Sequence, residues 1–230
     1  MTKAVLFDLD GTLLDTAPAF HILLNEQLAA AGRDAISLAA VRTVVSEGAA
    51  AMVCLAFGID RDDPLFAEQL DTLLTRYAAD PGANTQLFEG MSEVLDTLDE
   101  LDIPWGIVTN KPERFTVPIL QHLGLSDRVG PVICPDHVEE RKPSPEGLLM
   151  AARQLAVAPV DCCYVGDHLR DIQAGHNANM ATIGVTFGYL AEGEDPYSWK
   201  ADAYADHPHE ILVRLGLVSR NNEDDSDESE

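Results

Sequence analysis

Five short apolar runs, each ending abruptly and each separated from the next by a segment with helical spacing, constrain this chain more than any other feature. They are Lys3 to Phe7, Trp105 to Val108, Val132 to Cys134, Cys162 to Val165 and Ala181 to Val185. Runs of this length suit strands buried on both faces, and their alternation with helices implies an α/β fold built on a doubly wound parallel sheet. Helix punctuation fits: Ser92 reads as an N-cap for a helix running to about Leu101, Pro145 as a first-turn proline after Ser144, and Gly124 as a stop after Leu123. Open sheets of this kind place their chemistry at the carboxyl ends of the strands. The first run ends at Asp8.

One stretch breaks the alternation. Between about Asp15 and Leu87 no run reads as a strand, only amphipathic helices such as Pro18 to Ala31, whose Phe20, Leu24, Leu28 and Ala31 share a face. Gly32 and Gly58 read as helix stops, and the turn at Asp80, Pro81 and Gly82 leads back to the sheet. The expected organisation is a catalytic core from residues 1–15 and 87–218, an inserted α-helical cap over 16–86, and an acidic tail at 219–230. Six of the last eight residues are Asp or Glu, a run that repels itself and reads as disordered.

The formal net charge of −24 disfavours nucleic acid or an anionic membrane as a partner, so an anionic ligand has to be attracted locally by a few cations. Cys54, Cys134, Cys162 and Cys163 fit no metal or redox spacing and suit a reducing cytoplasm. Lys3 is followed by only four apolar residues before Asp8, too few for a signal-peptide core, and no run approaches the roughly eighteen apolar residues of a membrane span. The expectation is a cytoplasmic protein, monomer or homodimer, acting on a small molecule.

The sharpest local signal is Asp8-Leu9-Asp10-Gly11-Thr12. Two carboxylates two positions apart at a strand end face one side while Leu9 faces the core; Gly11 permits a sharp turn, and Thr12 offers a hydroxyl and an amide to an anion. In so acidic a chain a solvated turn is the ordinary reading of such a pair; its place at the end of the first strand favours chemistry. After the next core strand come Thr109, Asn110 and Lys111, a hydroxyl, an amide and a cation, with Thr109 either a phosphate ligand or an N-cap for the helix near Pro112. Lys142, one of four lysines, lies in a proline-stiffened loop, and Gly166-Asp167 closes another strand with Asp171 four residues on. Two unit charges 4 Å apart repel by about 4 kcal/mol at an effective dielectric of 20. A site combining Asp8, Asp10, Asp167 and a phosphate therefore needs a cation, and Mg2+ with Lys142 meets that need.

In order and spacing, these residues resemble the four motifs of the haloacid dehalogenase superfamily, and the helical insertion after the first motif is similar to its phosphoglycolate phosphatase branch. That resemblance implies a Rossmann-like core and a Mg2+-dependent phosphomonoesterase. Asp8 would be the nucleophile and Asp10 the general acid and base. Thr109 and Lys142 would bind the transferring phosphoryl. Asp167 would bind Mg2+ with Asp8 and the backbone carbonyl of Asp10, while Asp171 would support the metal or hold Lys142. His168 departs from the small hydroxyl residue or carboxylate of many relatives.

Several stretches resemble bacterial N-acetylmuramic acid 6-phosphate phosphatases more than typical phosphoglycolate phosphatases: Leu87 to Met91, Trp105 to Pro112, Cys134 to Val138, Gly188-Tyr189, and Asp195-Pro196 with Trp199. Both substrates carry a carboxylate near a phosphate ester, which makes Arg42, His21, Lys111 and Arg114 candidate ligands and Ser46-Glu47-Gly48 a candidate loop facing the site. Gly11, Thr12 and Asn110 complete the candidate phosphate-binding set. Among rivals, a dehalogenase would not need a second acid at Asp10, a phosphosugar mutase shares every motif, and a non-catalytic sensor would be expected to have lost one of Asp8, Asp10, Lys142 or Asp167. The pairs His207/His209 and Cys162/Cys163 have no partner pair at metal-ligand spacing.

Overall fold

The computed structural model describes residues 2–219, so the acidic run from Glu223 to Glu230 lies outside the described residues. The strands in chain order are β1 (Ala4–Phe7), β2 (Leu14–Asp15), β3 (Gln86–Leu87), β4 (Trp105–Val108), β5 (Val132–Ile133), β6 (Cys162–Gly166), β7 (Ala181–Val185) and β8 (Ala203–Ala205). The helices are α1 (Ala17–Ala30), α2 (Leu38–Arg42), α3 (Ala49–Phe57), α4 (Phe66–Ala79), α5 (Met91–Glu100), α6 (Glu113–His122), α7 (Glu146–Gln154), α8 (Leu169–Asn177) and α9 (Pro208–Arg214).

Six strands form one parallel sheet in the order β5-β4-β1-β6-β7-β8, with β1 at its centre. All four β1 residues are buried, as a parallel strand covered on both faces requires. Val5 and Phe7 enter one core with α5 and α9, whereas Ala4 and Leu6 enter the other with α7 and α8. The chain is thus wound on both faces of the sheet, and all five expected strands are present. The short edge strand β8 is an addition: three residues, Ala-Tyr-Ala, too brief to carry a pattern without β7 beside them.

Between β2 and β3, themselves a small antiparallel pair, lie α1 to α4, with α1, α3 and α4 packed on one another. In α1, Phe20, Leu24 and Leu28 are buried as expected, but Ala31 lies beyond the helix and is exposed. Gly58 terminates α3. The expected Ser92 cap is not used: Gly90, in a left-handed conformation, precedes α5, which starts at Met91. No helix among the described residues is long and apolar enough to cross a membrane.

Candidate active site

β1 runs out at Phe7 and the chain turns at once. Leu9 O accepts from the amides of Leu13 and Leu14 at 3.0 and 2.9 Å, and Gly11 N donates to Leu14 O at 2.9 Å. This turn, and not a continuing strand, brings Asp8 and Asp10 to one cavity while Leu9 stays buried. Gly11 has φ +88°, and a Cβ there would overlap the Asp167 carboxylate, so the position needs glycine twice over.

The neighbouring strand ends supply the rest. Thr109, Asn110 and Lys111 follow β4, Lys142 precedes α7, and Asp167 follows β6. Asp8, Asp10, Thr109, Asn110, Lys111 and Lys142 all line a cavity of about 310 Å³. Asn110 Nδ2 donates to Lys142 O at 3.3 Å, tying two of the loops together. Thr109 is not the cap of α6, which starts at Glu113 after Pro112; its hydroxyl accepts from Lys111 N at 3.2 Å.

Lys142 is a buried ammonium with three partners. Its Nζ is 2.8 Å from Asp8 Oδ1 and 2.7 Å from Asp171 Oδ1, and it donates to Tyr164 Oη at 2.8 Å. Burial works to discharge it, and Asp171 and Asp8 overcome that and hold its pKa above the usual lysine value. Asp10 is held differently: Lys111 Nζ reaches its Oδ1 at 3.0 Å and Thr16 Oγ1 donates to the same oxygen at 2.7 Å.

Burial first, then Asp171, raises the Asp8 carboxyl above its ordinary range against the pull of Lys142. Asp167 is raised well above that range by burial, then by Asp8 and Asp171, despite hydrogen bonds from Tyr189 N at 2.9 Å and Thr12 Oγ1 at 3.0 Å. Oxygens of Asp8, Asp167 and Asp171 lie within 4.8 Å of one another, and Asp171 Oδ2 is buried without a hydrogen-bond partner. One buried ammonium does not neutralise three carboxylates, and their all-oxygen donor set fits a hard divalent cation. The Asp10 side chain lies outside this cluster, turned to Lys111 and Thr16.

Four of the expected substrate residues, Arg42, Gly11, Thr12 and His21, are not among the residues that line the cavity. Arg42 does not line the cavity: it pairs with Asp15 of β2, its guanidinium 5.9 Å from the Tyr189 ring centroid. Gly11 and Thr12 do not line it either, because their amides close the turn and the Thr12 hydroxyl is committed to Asp167. His21 is bonded to Asn25 and the Ile36 carbonyl. Arg114 does line the cavity, as do Ser46 and Gly48 of the expected loop. Glu47 of that loop reaches across to Arg170 and to His168 Nε2, 3.2 Å away, while His168 Nδ1 accepts from Arg170 N at 3.1 Å as the cap of α8.

Sequence reasoning missed the aromatic wall of Phe20, Tyr77 and Phe115, because aromatics on an amphipathic helix read as core. It also gave Tyr189 no site role. Tyr189 sits between the carboxylate cluster and the helical insertion: its amide bonds Asp167, and its hydroxyl accepts from the amides of Thr16 and Ala17 and donates to Asp15.

Comparison with known proteins agrees with this geometry. The haloacid dehalogenase-like hydrolase family matches residues 5–185. A Pseudomonas putida protein named N-acetylmuramic acid 6-phosphate phosphatase is 44% identical over 209 residues, which is 91% of this chain and 94% of its own. A Xanthomonas campestris protein named phosphoglycolate phosphatase is 42% identical over 209 residues, with the same coverage of 91% and 94%. Among solved structures, a predicted phosphoglycolate phosphatase from Haemophilus somnus superposes with a TM-score of 0.80 at 25% identity, covering 93% of this chain and 98% of that one. The resemblance read from the motifs therefore holds over most of the chain, and the chain belongs to the haloacid dehalogenase-like hydrolase family.

Proposed function

We propose that the chain is a Mg2+-dependent phosphomonoesterase that hydrolyses N-acetylmuramic acid 6-phosphate through an aspartyl-phosphate on Asp8, with residues 16–86 as a cap over a core formed by 1–15 and 87–218. The observation that carries the reading is the meeting of Asp8, Asp10 and Lys142 in one cavity, with Asp167 and Asp171 clustered on Asp8. The relatives that share 44% and 43% of their residues with this chain bear the name of that activity. Cavity shape supports the larger substrate: Phe20, Tyr77, Phe115, Leu74 and Met52 give it an apolar side suited to a sugar ring, which two-carbon phosphoglycolate would leave unfilled.

In the proposed mechanism an Asp8 carboxylate oxygen attacks phosphorus as the ester oxygen leaves, and Asp10 protonates the leaving alkoxide. Asp10 then takes a proton from the water that attacks the phosphoaspartate, so one residue serves both half-reactions. Lys111 and Thr16 hold Asp10 in place, Lys142 and Thr109 neutralise and orient the transferring oxygens, and Asp171 keeps Lys142 aimed. Asp8, Asp167 and the Asp10 carbonyl would hold Mg2+, which when bound screens the carboxylates from the phosphate dianion and stabilises charge on the transferring group. Four free cysteines, three of them buried and Cys163 with its thiol pushed up to about 12 by burial, fit a reducing cytoplasm.

The test is phosphate release with Mg2+ from N-acetylmuramic acid 6-phosphate and 2-phosphoglycolate at matched low concentration. A large preference for the sugar acid is expected; the relatives at 42% identity named phosphoglycolate phosphatase make the opposite preference the alternative. Asp8→Asn should fold and lose both turnover and the trapping of phosphate on the chain, and retained turnover would refute the covalent mechanism.

A further inference from the structure

Tyr77 is 1% exposed, and its hydroxyl oxygen is buried without a hydrogen-bond partner. An orphaned buried hydroxyl is destabilising, and phenylalanine would fill the same volume without it. The position is not a slack corner of the core. Tyr77 stacks on Phe20 with centroids 4.3 Å apart and packs on Phe115 at 5.2 Å, so its ring is fixed, and all three rings line the cavity.

Beside it lies Lys111, a cation whose side chain is 6% exposed. Its Nζ is 4.9 Å from the Tyr77 ring centroid and 5.4 Å from that of Phe20. An ammonium has three protons to donate, and Nζ reaches the two Asp10 carboxylate oxygens at 3.0 and 3.2 Å. Donor capacity therefore remains on Lys111, whose ammonium lies beside the Tyr77 oxygen and can donate to it, while the phenol's own proton has no acceptor. Both residues line the cavity, one from the helical insertion and one from the strand end that carries Thr109.

We propose that Tyr77 Oη and Lys111 Nζ form the subsite that recognises a carboxylate on the organic part of the substrate, the part that leaves as the alcohol. A carboxylate only accepts, and this pair offers two donors in a water-poor, aromatic setting where a charge-assisted hydrogen bond is strong. A sugar hydroxyl can accept from the same donors, but being neutral it lacks the charge assistance that a carboxylate brings. The inference rests on reading the cavity as a phosphatase site and adds the residue pair that chooses the ester. Tyr77 is a specificity residue in this account and takes no part in phosphoryl transfer.

The test compares two esters that differ by the carboxylate: N-acetylmuramic acid 6-phosphate, and N-acetylglucosamine 6-phosphate, which lacks the lactyl group. Tyr77→Phe should lower the ratio of kcat/KM between them by about tenfold, expressed mainly in KM, the size expected for one hydrogen bond to a charged group. The variant should also melt close to the temperature of the parent, because the ring keeps its packing on Phe20 and Phe115. An unchanged ratio in an active protein, or an equal loss on both esters, would overturn the subsite alone. Absence of Asp8-dependent phosphate release from either ester by the unsubstituted protein would overturn the phosphatase reading and the subsite with it.

Discussion

Replacing Tyr189 by phenylalanine removes one oxygen from the hinge between sheet and helices and opens almost no cavity. That oxygen accepts from Thr16 N at 2.6 Å and Ala17 N at 2.8 Å, the amides at the start of α1, and donates to Asp15 Oδ1 at 2.8 Å. The first amides of a helix have no partner within it, and here no local side chain caps them; Thr16 has turned its hydroxyl to Asp10. Burial, and then the charge of Asp15, hold the phenol above its usual pKa, so it stays a neutral hydroxyl at working pH. Thr16 and Ala17 are fully buried, so in Tyr189→Phe both amides lose their acceptor out of reach of water. At about 1–3 kcal/mol for each unsatisfied buried group, and with Asp15 keeping Arg42, the loss is about 3 kcal/mol. For a chain of this length that lowers Tm by roughly 6–12 °C. Thermal unfolding followed by circular dichroism at pH 7.5 measures it, with kcat at 20 °C as the companion. A fall under about 3 °C would refute the reasoning, showing that Asp15 or water replaces the oxygen.

The raised Asp167 pKa makes the metal-free protein less stable as pH climbs from the unfolded carboxyl value through the folded one, because the folded state must give up a proton it holds more tightly. Asp167→Asn should therefore melt higher than the unsubstituted chain without metal at pH 7.5, with a shallower pH slope, and should lose the stabilisation that added Mg2+ gives the parent; identical slopes would count against the carboxylate cluster as a cation site. Glu47→Ala cuts the link from the loop of the helical insertion to Arg170 and His168, an exposed ion pair, so Tm should move little while KM rises several-fold. An unchanged KM in steady-state kinetics would show that the link does not help to close the cavity. Gly188→Ala would drive a Cβ into Gly11 O and Asp167, and expression of a protein with parental Tm and activity would disprove that close approach.

Much of the fold was legible because its signals are local. An apolar run of four or five residues that stops at a polar residue marks both a buried strand and its carboxyl end, which is why the sequence alone places Asp8, Thr109 and Asp167 at one sheet edge. Lys142 was legible in the same way, as a rare cation in a stiff loop. Local signals failed where two conformations compete by one residue, as at Ser92, or where a strand such as β8 exists only through its neighbour.

What the sequence by itself determined is the wound parallel sheet, the helical insertion and the set of groups at the strand ends, since periodicity and turn chemistry act over a few residues. Which of those groups remain free for a ligand was decided only by tertiary structure. Arg42 looked available until folding put Asp15 beside it, 27 residues away in sequence, and the Thr12 hydroxyl until Asp167 arrived from 155 residues on. Tyr77 and Tyr189 are both buried aromatics, yet the Tyr189 phenol caps a helix while the Tyr77 phenol has no acceptor for its proton. The reason is that a hydrogen bond or ion pair is settled by which partners share a buried volume, and that volume is assembled from segments the chain keeps far apart.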